Sequence, residues 1–191
     1  MHPPATEAIV SLPGWVAEVV DWNRAYATDE DRMGLAIELS RQNVLREGGG
    51  PFGAIVVERD SGRLVSVGVN SVVWLANCTL HGEMVAFMLA QRRLGSFTLA
   101  GPEMPVHELV TSCEPCAMCL GATLWSGVRR LVYGAGRDDA SRIDFDEGPV
   151  FAESYRYLEA RGIEISGGVL RREAAAVLEL YRQRNGPVYN G

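Results

Sequence analysis

The chain has 191 residues, 47% hydrophobic and 22% charged, the proportions of an ordinary globular domain with one substantial core. A formal net charge of -6 argues against a broad basic face for nucleic acid and favours a small neutral partner. Four cysteines, with Cys113, Cys116 and Cys119 close together, do not form the even framework of a secreted disulfide scaffold and suit a reducing cytoplasm.

The opening "MHPPATEAIVSLPGWVAEVV" lacks a cationic region, and Pro13, Gly14 and Glu18 interrupt its apolar stretch, so neither a signal peptide nor a membrane span is expected there. No later apolar run is long enough to span. Residues 1–27 read as an N-terminal extension of a single domain covering 1–191. From Thr28 a capping-box-like Thr28/Asp31 pair precedes Met33, Ala36, Ile37, Ser40 and Val44 at helical spacing, which predicts an amphipathic helix ending before Gly48, Gly49 and Gly50. "PFGAIVVER" and "RLVSVGVN", joined by "DSG", predict a β-hairpin. A helix from about His81 to Arg93 is apolar on most sides through Met84, Val85, Phe87, Met88 and Leu89, so its burial is expected.

"VHELVTS" reads as a third strand running into the cysteines. "PCAMCLGATLWSG" reads as a helix, with Pro115 in its first turn and Gly127 at its end. "RRLVYG" is a strand, "RDDASRIDFDEGP" an acidic loop, and a helix near 152–161, a strand "GIEIS" and a helix near 171–184 complete the chain. This alternation predicts an α/β fold, a mixed sheet with helices on both faces. His2, His107 and the Trp and Met residues read as surface or packing groups, and Cys78 as a small buried hydrophobe.

Two segments carry chemistry: "LHGEM", with His81 and Glu83, and "EPCAMC", with Cys116 and Cys119, each at a predicted helix start. His81 and Glu83, two residues apart, can share a site only at the helix end. Such an end is electropositive and favours thiolates. His81, Cys116 and Cys119 would leave the fourth tetrahedral position of a zinc ion for water, as in catalytic sites, with Glu83 as general base; Cys113 as an additional ligand would instead close a structural site.

The pairing of H-x-E with P-C-x-x-C is the signature of zinc nucleobase deaminases. The chain resembles the cytidine-deaminase-like superfamily from about Met33 onward, which implies a three-layer α/β/α fold with a central mixed five-stranded sheet and usually a dimer or larger assembly. "GGPFGAIVVERDSG", "TSCEPCAMCLGATLWSGVRRLVYGA", "FDEGP" and "NGPVYN" resemble the bacterial guanine deaminase group, some of whose members also deaminate ammeline. One departure is Gly82, where that group commonly has Ala and where "TLHGE" is more like the fungal cytosine deaminases. Glycine there costs about 0.5 to 1 kcal/mol of helix stability and is expected to remove a methyl beside the substrate plane.

The resemblance implies Zn2+ on His81, Cys116 and Cys119, and Glu83 as proton shuttle. It further implies that Asn70 orients the ring and that Glu147 is catalytic, accepting from ring or amino N–H groups and assisting proton transfer; Phe52 and Phe145 are read as walls of the planar base, with ordinary core packing as their alternative. Residues 185–191 would close over an active site, the chain's own or a neighbour's, in a homodimer. The expected reaction is hydrolytic deamination of a free nucleobase, guanine to xanthine plus ammonia, with no nucleic-acid or membrane partner. Cytosine or an s-triazine such as ammeline is the alternative. A tRNA adenosine deaminase would call for basic residues around the pocket, and a non-enzymatic zinc module for Cys113 among the ligands.

Overall fold

Nearly every residue of the first four strands is buried, as a sheet covered on both faces requires. The computed structural model, which describes residues 6–47 and 49–189, contains one such sheet of five strands. β1 (Gly53–Glu58) and β2 (Leu64–Val69) form the predicted antiparallel hairpin. β1 also pairs antiparallel with β3 (His107–Cys113), which is parallel to β4 (Arg130–Ala135), itself parallel to β5 (Glu164–Gly167), giving the order β2-β1-β3-β4-β5.

Side chains alternate across the strands and build two apolar layers. On one face Ile55, Val57, Val67, Val110 and Val132 meet α1 (Val16–Val19) and α2 (Asp29–Gln42) through Val16, Met33, Ala36 and Leu39. On the other, Ala54, Val56, Leu109 and Leu131 meet α3 (Gly82–Leu94), α4 (Ala117–Ser126) and α6 (Ala152–Ala160) through Ala86, Phe87, Leu120 and Leu158. α5 (Arg137–Ser141) lies between β4 and α6, and α7 (Arg171–Gln183) packs on β4 beside α2. The three-layer mixed sheet is the fold expected from the sequence. Trp15, Val16, Val20 and Tyr26 are buried in the first layer, so much of the N-terminal segment belongs to the core. His2, Gly48, Asn190 and Gly191 lie outside the described residues.

Thr28 caps α2 as predicted, accepting from the Asp31 N–H at 3.1 Å. α2 then leaves through a π-helical turn, Asn43–Glu47, which no spacing announced. The acidic loop contains α5, held because Asp139 accepts from the Gly136 N–H (2.9 Å) and pairs with Arg171 of α7 (2.7 Å). Pro115 precedes α4 instead of entering its first turn, since Cys116 takes the extended N-cap conformation. Cys78 is exposed, not buried, because it falls in the loop before α3.

The C-terminal end of β3 and the N-termini of α3 and α4 meet at one end of the sheet, where open α/β sheets place their sites. The opposite end is closed by ion pairs. Arg32 Nη1 donates to the fully buried Glu108 at 2.7 Å, and Arg130 reaches Glu108 at 3.4 Å and Asp29 at 2.6 Å.

Candidate active site

His81 and Cys116 are the N-cap residues of α3 and α4, each with extended ψ and neither using its side chain as a cap. Both side chains are thereby free to face each other across the two helix starts. His81 Nδ1 lies 3.4 Å from Cys116 Sγ, and with Cys119 Sγ the three donor atoms all lie within 4.8 Å of one another. A tetrahedral zinc with bonds of about 2.0 to 2.3 Å holds its donors roughly 3.3 to 3.8 Å apart, so these three fit one ion with a contraction of about 1 Å or less. Hydrogen bonds from Cys119 and His81 hold the Cys116 thiol down to about 4, against its burial. Cys119, which gives that hydrogen bond and is buried, is pushed well above the ordinary thiol range. Burial alone would depress the His81 imidazole, but Cys116 and Glu83 outweigh it and raise it. The cluster thus already favours one thiolate, and a dication would displace the remaining thiol proton.

Cys113 ends β3, with its Sγ toward the Gly136 carbonyl at 3.9 Å and outside this group of donors. Burial, together with the charges of Glu147 and Glu83, pushes its thiol up.

Two carboxyls face the cluster. Glu83, in the first turn of α3, is buried, and burial with the Cys116 charge raises its pKa. Glu147 sits in the loop between α5 and α6, whose backbone is pinned to α4 by a 2.9 Å hydrogen bond from the Ala117 N–H to the Glu147 carbonyl. Burial, followed by the Cys116 and Glu83 charges, pushes its carboxyl up to about 8. Glu114 and Asp146 complete the acidic lining of the cavity. Glu114 is fully engaged: Tyr155 Oη donates to it at 2.6 Å, the Arg137 N–H at 2.9 Å, and the Arg137 guanidinium lies at 3.3 Å.

Phe52, Phe145 and Tyr189 form the aromatic wall, Phe145 standing edge-on to Phe52 at 5.1 Å and to Tyr189 at 5.0 Å. Asn70, just past β2, is fully buried. Its Oδ1 accepts from the Val72 N–H at 3.3 Å, while its Nδ2 lacks a hydrogen-bond partner within the distance and angle limits of an ordinary bond. Asn43 Nδ2, on the π-helical turn, donates to the carbonyls of Gly50 and Asn70, at 2.9 Å each, and so braces the asparagine backbone. The tail folds back because Tyr181 Oη donates to the Pro187 carbonyl at 2.6 Å, which seats Tyr189 over this chain's own cavity. The Tyr189 hydroxyl then lies against Gly50, where any Cβ would collide with it.

The structure therefore gathers His81, Cys116, Cys119, Glu83, Glu147, Phe52 and Phe145 around one cavity, with Asn70 beneath Gly50 and Tyr189. Sequence reasoning missed Asn43, Arg137, Asp146 and Tyr155, which have no spacing signature, and passed over Glu114 although it stands inside "EPC". Gly82 is a correction. A Cβ there would meet the Phe52 carbonyl oxygen at 3.2 Å and Gly53 Cα at 3.5 Å, so it would face β1 and not the substrate plane.

The family model for the cytidine and deoxycytidylate deaminase zinc-binding region matches residues 26–135. The guanine deaminase of Bacillus subtilis is 35% identical over 128 residues, 67% of this chain and 78% of that protein. A probable cytosine deaminase of Schizosaccharomyces pombe is 33% identical over 144 residues, 73% of this chain and 83% of that protein. The solved guanine deaminase from Nitrosomonas europaea superposes with a TM-score of 0.89 at 42% identity, over 95% of this chain and 100% of that one. A protein solved with 2,6-diaminopurine does so with a TM-score of 0.89 at 45% identity, over 96% and 97%, and has also been solved as asparagine and glutamate variants with 8-azaguanine. With this match and a His/Cys/Cys donor set that fits a single ion, the chain belongs to the zinc-dependent cytidine and deoxycytidylate deaminase family.

Proposed function

We propose that the chain hydrolyses free guanine to xanthine and ammonia, with zinc held by His81 Nδ1, Cys116 and Cys119. The chemistry zinc supplies when bound is Lewis-acid activation of water near neutral pH. Glu83 takes the proton of the attacking water, delivers it to the ring nitrogen beside C2, and helps protonate the departing amino group as the C2–N bond breaks. Glu147 accepts from the N–H groups of the base, and Asn70 Nδ2 supplies a donor to a ring acceptor. Phe52, Phe145 and Tyr189 wall the planar ring and exclude water.

What carries the guanine assignment is Glu147, a second, half-buried carboxyl that lines the cavity and is held up to about 8, close enough to Glu83 and Cys116 to feel both charges. A base rich in N–H donors offers this carboxyl partners, at about 1.5 to 3 kcal/mol per charge-assisted hydrogen bond. The 8-azaguanine complexes give support from outside: the asparagine and glutamate varied there are as far apart in that sequence as Asn70 and Glu147 are here. The Schizosaccharomyces relative favours cytosine as the second reading, although cytosine is smaller and presents fewer donors. The acidic lining disfavours a tRNA phosphate backbone, and the position of Cys113 disfavours a closed structural zinc site.

Ammonia release from guanine, cytosine, adenine, ammeline and their nucleosides tests the proposal. Guanine is expected to be preferred, and release from cytosine but not guanine would overturn it. Glu147→Gln is expected to depress guanine turnover with zinc content unchanged.

The same proposal includes one domain spanning residues 1–191, a homodimer and a cytoplasmic setting. Exposed Trp125, Phe151 and Tyr157, beside an apolar groove along α4 and α6, suit a second copy, and four thiols without a disulfide suit a reducing compartment. Tyr189 lies over its own chain's cavity, so the proposed dimer does not require an exchanged tail. A monomeric mass by light scattering would refute the dimer. Among the described residues no helix is long and apolar enough to cross a membrane.

A further inference from the structure

We infer that Asn43, on the π-helical turn that follows α2, is a positioning residue for base binding, because its side-chain amide ties together the two segments that present Asn70 and the aromatic wall. The inference rests on the proposal that the Asn70 amide donates to a nucleobase. Asn43 is fully buried, and its Nδ2 donates to the Gly50 and Asn70 carbonyls at 2.9 Å each. Two carbonyls facing one nitrogen use both amide protons, a demand that neither a carboxylate nor a hydroxyl can meet. Asn43 Oδ1 accepts no hydrogen bond among the described residues, so the amide is turned toward the two carbonyls even though a buried acceptor is left unpartnered.

Both carbonyls belong to peptide groups that set the pocket. The Gly50 carbonyl also accepts the Phe52 N–H at 2.9 Å, so the amide braces the turn that leads into the aromatic wall. Asn70 is held from both sides: its N–H donates to the Phe52 carbonyl at 2.9 Å, its own carbonyl accepts from Asn43, and its Oδ1 accepts the Val72 N–H at 3.3 Å. With both flanking peptides anchored, the Cα–Cβ direction of Asn70 is fixed, and so is its Nδ2, which makes no hydrogen bond of ordinary geometry. The fit is close. A Cβ on Gly50 would stand 3.0 Å from Asn70 Cγ, so Gly50 lies flush on that side-chain amide. Without Asn43, the peptide that follows Asn70 can turn about its anchored N–H, and the open donor swings with it. Position 43 thus acts on base affinity without touching the base, while the metal donors stand on the starts of α3 and α4 and do not depend on it.

The test is a double-mutant cycle of Asn43→Leu and Asn70→Ala in the zinc-loaded protein, read as the Kd for 8-azaguanine, with kcat and KM for guanine, zinc content and melting temperature measured alongside. Asn43→Leu is expected to keep zinc, to raise Kd and KM about tenfold, within the range of coupling in one hydrogen-bond network, and to lower kcat far less. In the Asn70→Ala background it should raise Kd by no more than about twofold, since the donor it positions is gone. A merely structural role would lower the melting temperature in both backgrounds and show no such coupling. Gly49→Ala is a second route that spares the fold: its Cβ would stand 2.5 Å from Asn43 Nδ2, at the end of a side chain that can turn away, and Kd should rise in the same direction. An unchanged Kd in Asn43→Leu, or in Gly49→Ala should Asn43→Leu not fold, would overturn the inference, as would an equal rise in both backgrounds or loss of zinc. A wild-type Kd in Asn70→Ala would overturn the reading of Asn70 and this inference with it, so the two failures are distinct. Should the wild type prefer cytosine, the guanine assignment alone falls, and the same cycle in the KM for cytosine decides this inference: coupling supports it and additivity overturns it.

Discussion

The two ends of the sheet both bury charge, and they do so in opposite ways. At the start of β3, Glu108 is flanked by Arg32 and Arg130, and Arg32 also donates to the carbonyls of Tyr26 and Arg59 at 2.8 Å each. Charge there is matched and hydrogen-bonded, the only form in which a buried ion cluster is tolerable. At the end of β3 the charges have like sign. The Cys116 thiolate raises the proton affinity of both Glu83 and Glu147, Glu83 raises that of Glu147 further, and Asn70 Nδ2 makes no hydrogen bond of ordinary geometry. A cluster of that kind is costly on its own and becomes favourable when a dication and a hydrogen-bonding base complete it. Complementarity within the chain marks scaffold; complementarity left to a ligand marks the site.

The contrast is broken most severely at the metal donors. Cys116→Ser or Cys119→Ser is expected to abolish stoichiometric zinc and turnover together, while Cys113→Ser keeps both, as metal analysis alongside an ammonia assay will show; zinc loss in the Cys113 variant would place that thiol among the ligands. Next in size is Glu83→Gln, expected to keep zinc and 8-azaguanine binding while lowering kcat by at least ~10²-fold, the lower range for a general acid–base group. Near-normal turnover at full zinc content would remove Glu83 from the mechanism.

At the other end Arg32→Met strands Glu108 without its closest partner. A loss of about 3 to 5 kcal/mol is expected from calorimetry, with kcat unchanged at temperatures where the variant stays folded. A stability loss below ~1 kcal/mol would mean that the ion cluster contributes little.

The smallest effect is a pH drift in the zinc-free protein. Folding raises the Glu147 pKa from 4.5 to about 8, so the folded chain binds this proton more tightly than the unfolded one. The stabilisation is fully present below about pH 4.5 and is lost as pH rises through about 8. Melting temperatures of the chelated protein should therefore fall between about pH 5 and 8, and Glu147→Gln should flatten that slope. An equal slope in both proteins would remove Glu147 as its source.

The legible parts of the molecule were those with a local cause. Thr28 before an apolar period, "DSG" between β-branched runs, and Gly127 with its positive φ announced helix, hairpin and helix end, because capping and turn chemistry act within a few residues. α5 was not legible. It depends on Arg171, which approaches Asp138 and Asp139 only after α7 has packed. The π-helical turn at Asn43 was silent for the same reason, its amide being fixed by Gly50 and Asn70.

By itself the sequence determined the layer order, the sheet class and the chemical type of the site, since periodicity and the two helix-start motifs are encoded in neighbouring residues. Only the tertiary structure decided that Cys113 faces Gly136 while Cys116 faces His81, that Tyr189 lies over its own pocket, and that Gly82 bears on β1 and not on substrate. The physical reason is that direction and burial come from packing. A residue's type fixes which protons and lone pairs it can offer, but its surroundings fix where they point and at what pKa.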